Sequence, residues 1–339
     1  MEAKEGDGWY MQKLYNNPHR VVEEMIQGYL KSHPKLIAKT GHPRAYVLRQ
    51  LDRGSGKIGV VSGGGTGHFP AFIGYLKPGY LDAVAIGNVF EAPPAEVFFE
   101  AFRQADCGSS VICIYGNYPL DNRSVKEAVQ MAEREKIRVE LICANDDIAT
   151  ISEDGDRSGS RGLAGEVLLF KIAGAAAAQG KSLEETAALC RRANQRMRSI
   201  GVAFSACIIP EVGAPKFEVI NGTMEFGIGH HGDPGLFTCK TRTANETADL
   251  MMEEILKTYD RSVRHEVIVL VSGLGATTQM ELYILYNRIA DILRMRGISC
   301  AQAFVGNFFT SLDMKGVSVT VMETDDELSI LVGREVEWI

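Results

Sequence analysis

Apolar positions in the first half of the chain concentrate in short stretches, at residues 57–62, 83–86, 110–114 and 138–142. Between them lie amphipathic stretches at residues 94–103 and 124–135. Runs of this length with β-branched residues predict buried strands, and the stretches between them predict helices. Strand and helix taking turns argues for a sheet covered by helices on both faces. Upstream, Asn17-Pro18 opens a helix that places Val21, Met25 and Tyr29 one turn apart and stops before Pro34. The acidic, glycine-containing segment 145–162 reads as an exposed loop, followed by an alanine-rich helical region at 163–198.

The second half predicts a strand at 202–209, helices at 244–259 and 279–295, and strands at 266–271 and 299–305, with a closing strand pair at 318–322 and 328–332. Asn221-Gly222 between the runs 217–220 and 223–226 signals a β-hairpin, since Asn-Gly suits a two-residue type I′ turn. At 339 residues the chain exceeds the usual single core. The predicted fold class is α/β, in two α/β domains, each a mixed β-sheet flanked by helices, over residues 1–195 and 196–339.

Composition narrows the function. Asp plus Glu number 43 against 36 Lys plus Arg, and the formal charge of −7 disfavours nucleic acid and anionic membrane as partners. Seven cysteines are scattered without a Cys-x-x-Cys pair, and Cys113 and Cys143 sit in apolar runs, as in a reducing compartment. The N-terminus is too polar for a secretory signal and no apolar run is long enough to span a bilayer, so a cytoplasmic location is expected.

Two stretches carry candidate chemistry. Gly63-Gly64-Gly65-Thr66-Gly67-His68-Phe69-Pro70 follows a strand, where exposed backbone N–H groups could hold an anion. It fails the stricter nucleotide patterns, because no Gly-Lys-Ser/Thr ends it and Pro70 stands where a dinucleotide loop has its third glycine. Its Gly-Gly-Gly-Thr-Gly core is also similar to a tubulin-like nucleotide loop. It does deliver His68 to a strand end. The second stretch, Gly229-His230-His231-Gly232-Asp233-Pro234-Gly235, holds two histidines between glycines before a turn. They could be reactive, or could only bond neighbouring backbone. A His-His zinc site is disfavoured, since adjacent side chains on an extended chain point opposite ways and no Cys or carboxylate lies at ligand spacing. The loop after strand 110–114 brings Asp121 toward the same sheet edge as His68, as a partner in general base catalysis or as the cap of a helix near Ser124.

Several stretches together resemble one family, the substrate-binding subunit or first domain of dihydroxyacetone kinases and their erythrulose-kinase relatives. The resemblance rests on Asn17-Pro18, Gly28 to Pro34, Ser62 to Pro70, Gly87-Asn-Val-Phe90, Gly116-Asn117-Tyr118 with Asp121, Asn145-Asp146-Asp147, Arg161 to Gly165, Phe170 to Ala177, Gly227 to Gly235 and Leu274 to Thr277. It covers nearly the whole chain in order. It implies that His231 adds to the carbonyl carbon of a short-chain ketose, dihydroxyacetone or erythrulose, as a covalent hemiaminal. His68 and Asp121 match the groups that activate the terminal hydroxyl, and Gly64, Gly65, Thr66, Gly67, Phe90, Gly116 and Asn117 match the sugar-binding positions. A reversible bond to a carbonyl would select ketoses over glycerol, and binding would weaken as pH falls and the imidazole protonates.

The resemblance further implies that this chain binds no metal and no cofactor, and that ATP or ADP with Mg2+ sits on a separate helical kinase subunit, recharged by ATP or by a phosphotransferase-system phosphoryl donor. A homodimer is also implied. Gly116 stands where the dihydroxyacetone branch has lysine, Phe69 where it has glutamate and Ala92 where it has serine. Gly116 and Phe69 place the chain closest to the erythrulose-kinase-like branch. A non-catalytic ketose sensor remains the rival reading.

Overall fold

The computed structural model describes residues 13–108, 110–215, 217–259 and 266–333. In chain order the first part runs α1 (Val21–Ser32), β1 (Ile37–Lys39), β2 (Ala45–Leu48), β3 (Gly59–Thr66), β4 (Ala83–Val89), α2 (Ala95–Ala105), β5 (Val111–Gly116), α3 (Pro119–Arg134) and β6 (Val139–Ala144). Two helices follow, α4 (Glu166–Ala178) and α5 (Leu183–Arg196). The rest runs β7 (Met197–Ala203), β8 (Ile208–Ile209), β9 (Ala214–Pro215), β10 (Thr223–Phe226), β11 (Phe237–Lys240), α6 (Ala244–Lys257), β12 (Glu266–Gly273), α7 (Gln279–Met295), β13 (Ser299–Gly306), β14 (Gly316–Glu323) and α8 (Asp326–Gly333).

Six strands form each of two mixed sheets, in the orders β1-β2-β4-β3-β5-β6 and β11-β10-β7-β14-β12-β13. In the first, β4, β3, β5 and β6 are parallel neighbours while β2 joins β4 antiparallel. In the second only β12 and β13 are parallel, and the other pairings are antiparallel.

The period-2 alternation of strand side chains sorts the core into layers. Val111, Cys113 and Tyr115 of β5 pack with Val97, Phe98 and Phe102 of α2 and with Val125 and Ala128 of α3. Ile112 and Ile114 point the other way and join Leu168, Leu169 and Ile172 of α4 and Leu189 of α5. That same cluster takes in Ile268 and Leu270 of β12 and Leu328, Leu331 and Val332 of α8, so α4, α5 and α8 lie between the two sheets. The opposite face of β12, Val267, Val269 and Val271, packs on α6 and α7. The order is helices, sheet, helices, sheet, helices.

Several predicted elements differ. The helical region 163–198 is two helices, broken where Gly180 takes φ +74° and Ser182 and Glu185 form a capping box for α5; its last residues already belong to β7. The strand expected at 202–209 is β7, which starts earlier and ends at Ala203 because its pairing with β14 runs from Met197 opposite Met322 to Ala203 opposite Gly316. Residues 328–332 are helical in α8, whose start is held by the Leu328 N–H donating to Asp325 Oδ1 at 3.0 Å. A five-residue apolar run reads equally as strand or buried helix by periodicity, and this acidic start decided it.

Asn221-Gly222 closes no hairpin. Gly222 has φ +81° while Asn221 is not among the positive-φ residues, and Thr223 N–H donates to the Ile220 carbonyl at 2.9 Å, a single turn with glycine third. The hairpin is β10 with β11, and its connection is the histidine loop itself. Segment 145–162 is only partly an exposed loop: Asp146 and Asp147 are fully buried. The short strands β1 and β2 were not predicted.

Candidate active-site cleft

The cleft forms where the carboxyl ends of the parallel strands β3 and β5 meet the β10–β11 connection, the edge at which α/β sheets gather ligand groups. Gly63, Gly64, Gly65, His68, Phe72, Gly116, Tyr118, Asp121, Glu166, His230, His231 and Phe309 line it. Gly63, Gly64 and Gly65 lie within β3 and not in a loop beyond it, and Gly116 ends β5. A Cβ on Gly64 would come within 2.6 Å of the Phe72 ring, so the backbone itself forms the wall there.

His68 is buried, and its Nδ1 lies 2.7 Å from the Thr310 carbonyl. A carbonyl only accepts, so Nδ1 carries a proton and the neutral ring offers Nε2 as an acceptor. That atom lies 3.0 Å from His231 Nε2. Phe90 backs both rings, at 5.0 Å from His68 and 5.3 Å from His231, and Tyr118 meets His231 edge-on at 4.5 Å. Leu312 N–H donates to the Gly67 carbonyl at 2.7 Å, tying the His68 turn to the segment between β13 and β14.

His230 and His231 occupy a tight turn in which Gly232 N–H donates to the Gly229 carbonyl at 3.0 Å. The chain is therefore not extended there, and both imidazoles face one cleft, contrary to the alternation expected of a strand. A Cβ on Gly229 would sit 2.8 Å from Arg161 Nη1 and 2.9 Å from Asp233 Oδ2. Arg161 holds the loop: its Nε donates to Asp147 Oδ2 at 2.8 Å, Nη2 to the Gly227 carbonyl at 3.0 Å and Nη1 to the Pro234 carbonyl at 3.4 Å. Asp147 is completely buried, and this desolvation pushes its carboxyl up to about 6 despite the guanidinium beside it. Asp233 Oδ2 lies 3.8 Å from His231 Nδ1.

Asp121 is the third residue of α3, which starts at Pro119 rather than near Ser124, so it lies inside the first turn instead of capping a later one. Helix N-termini favour an ionised carboxylate, yet burial wins and pushes Asp121 up to about 7. Glu166, the first residue of α4, is buried too; desolvation, with Asp146 and Asp121 nearby, holds it well above the usual carboxylate range. His230 is held well below the usual imidazole value by burial, with His68 and Arg161 adding to the effect.

Of the residues singled out from sequence, His68, His231, Asp121, Gly64, Gly65 and Gly116 line the cleft. Phe90 stands behind the two imidazoles. Thr66, Gly67 and Asn117 are outside the lining: Thr66 Oγ1 donates to the Gly87 carbonyl at 2.7 Å, Gly67 accepts from Leu312, and Asn117 Nδ2 donates to the Ser158 and Ser160 carbonyls at 2.8 Å each. Glu166, Tyr118 and Phe309 were not singled out for the site, and His230 was noted only as one of the histidine pair, without a role. For Glu166 a signal existed, an acid at the head of an otherwise apolar helical run; Phe309, distant in sequence, gave none. Among the described residues no group of three or more His, Cys, Asp or Glu is placed to hold a metal ion, and no helix is long and apolar enough to cross a membrane.

The chain is 39% identical over 317 residues to the dihydroxyacetone-binding subunit DhaK of a PTS-dependent dihydroxyacetone kinase of Listeria innocua serovar 6a, covering 94% of this chain and 95% of that protein. It is 37% identical over 333 residues to an L-erythrulose 1-kinase of Mycolicibacterium smegmatis, covering 96% of this chain but 57% of that longer protein. A solved structure described as the dihydroxyacetone kinase operon co-activator DhaQ superposes with a TM-score of 0.85 at 30% identity, over 91% of this chain and 94% of that one. The family model described as the Dak1 domain matches residues 27–338, and with that span, these relatives and two mixed sheets flanked by helices, the chain belongs to the Dak1 domain family.

Proposed function

We propose that this chain is the ketose-binding subunit of a dihydroxyacetone-kinase-type phosphotransferase, and that it holds a three- or four-carbon ketose through His231. The observation that carries this reading is the approach of His68 Nε2 and His231 Nε2 to 3.0 Å in a cleft that Asp121 also lines. A nucleophile, a base and a carboxyl converge there. The ketose enters between the imidazoles and takes over their mutual contact.

The covalent step balances as follows. The Nε2 lone pair of neutral His231 forms a bond to the carbonyl carbon, the C=O π pair moves onto oxygen, and that oxygen takes a proton while Nδ1 gives one up. The product is a neutral hemiaminal. Across the imidazole contact His68 Nε2 accepts, so His231 Nε2 donates. Addition uses the other His231 tautomer, with the proton on Nδ1, the atom facing Asp233 Oδ2 at 3.8 Å. Asp233 favours that tautomer once the ketose has displaced the contact, and steadies the charge during addition. His68 and Asp121 then act on a terminal hydroxyl: one accepts its proton as the oxygen attacks a phosphoryl group, and the other orients it.

The phosphoryl group comes from ATP, or ADP kept charged by a phosphotransferase relay, held with Mg2+ on a separate helical subunit. The likeness to a DhaK subunit over nearly the full length of both chains supports a division of labour between subunits. With dihydroxyacetone labelled at its carbonyl carbon, the NMR signal should move from the ketone to the tetrahedral region on binding to the native protein and stay unmoved with His231→Gln. An unmoved signal at saturation with the native protein refutes the covalent step.

The likeness to a co-activator supports a second reading, in which the same ketose site serves a sensor. Turnover of either ketose with a nucleotide-bearing partner subunit decides for the kinase; ketose binding without turnover with any such partner decides for the sensor.

A further inference from the structure

His230 is not needed to explain the covalent step, yet its placement is costly. The ring is 2% exposed and stacks on Phe309 with centroids 4.7 Å apart at 18°, which a phenylalanine could do equally well. Both ring nitrogens are nevertheless buried without a hydrogen-bond partner among the described residues. Buried polar atoms left unpaired destabilise a fold, so such a group in a binding cleft points to a ligand that pairs it.

We infer that His230 is a specificity-determining residue that hydrogen-bonds a neutral hydroxyl of the bound ketose, other than the terminal hydroxyl presented to His68 and Asp121. The inference rests on the ketose reading above. Three observations carry it: His230 lines the same cleft as His231, it shares the Gly229–Gly232 turn with it, and its ring nitrogens have no hydrogen-bond partner among the described residues. Its environment keeps the ring neutral, with one N–H to give and one lone pair to accept, which is the pattern that complements a hydroxyl and not an anion.

The test is calorimetry on the intact chain with dihydroxyacetone and with hydroxyacetone, which keeps the carbonyl and lacks one hydroxyl. The native protein should bind dihydroxyacetone the more tightly. In His230→Phe, which keeps the stack on Phe309, dihydroxyacetone affinity should fall by about tenfold, the scale of one hydrogen bond, while hydroxyacetone changes by less than about threefold. His230→Gln, which restores a donor and an acceptor, should recover part of the preference. Melting of the unliganded His230→Phe variant at or above the native temperature confirms that it folds; if it melts lower, the native-to-Gln comparison decides alone. Equal losses for both ligands, or none, overturn the inference while leaving ketose binding intact. If the native protein binds neither ketone, both the inference and the reading beneath it fall.

Discussion

Asp121 shows how far one side chain's behaviour departs from its composition. Its carboxyl titrates at about 7 against an ordinary 3.8, because burial disfavours the charge. Ionising it in the folded protein therefore costs free energy that is absent below pH 4 and fully present above about pH 7. Asp121→Asn cannot ionise, so its stability relative to the native protein should improve as pH rises across that window. Melting curves of both proteins at pH 4 and pH 8 check this, and a difference that stays constant contradicts it. If Asp121 is the base in phosphorylation, the rate with a partner subunit should climb toward a plateau above about pH 7, and Asp121→Asn should lower it by about 10²- to 10⁴-fold. Glycine turns at strand ends marked His68, Asp121 and the pair His230-His231 as candidates, and the family resemblance picked His231 from that pair. The sequence could not reveal the raised carboxyl, which depends on neighbours such as α4 that are distant in the chain.

At the scale of elements, the β10–β11 connection is braced from the other half of the chain by Arg161. Its partner Asp147 is fully buried, so Arg161→Ala leaves a carboxylate without its guanidinium and should destabilise the protein by about 3 kcal/mol at pH 7. The loss should shrink at pH 5, where Asp147, already raised to about 6, takes a proton instead. Urea unfolding at the two pH values measures both, and a loss independent of pH would mean that Asp147 is not the group left exposed to the change. Helices with distinct ends were legible: Thr278 and Glu281 form the capping box that starts α7 where the pattern placed it. The Asn221-Gly222 signal misled because a turn becomes a hairpin only if the strand before it finds a partner, and β10 pairs with β7 and β11 instead.

Across the whole molecule, the strands of the first sheet all precede residue 145 and those of the second all follow residue 196. We propose that this boundary separates sheets and not independently stable units, because one apolar cluster joins α4 and α5 to β12 and α8. Leu328→Ala, at a fully buried position of α8, should cost about 2–5 kcal/mol and shift a single unfolding transition seen by both fluorescence and circular dichroism. Two separated transitions would refute the coupling. Apolar periodicity, capping residues and glycine placement, being local properties of neighbouring residues, determined from sequence the α/β class, most helices and strands, and the imidazoles and carboxyl worth attention. Only the tertiary structure decided that His230 shares a cleft with His231, that Asp146 and Asp147 are buried, and that residues 328–332 coil into a helix, because each depends on burial and hydrogen bonding between segments far apart in the chain.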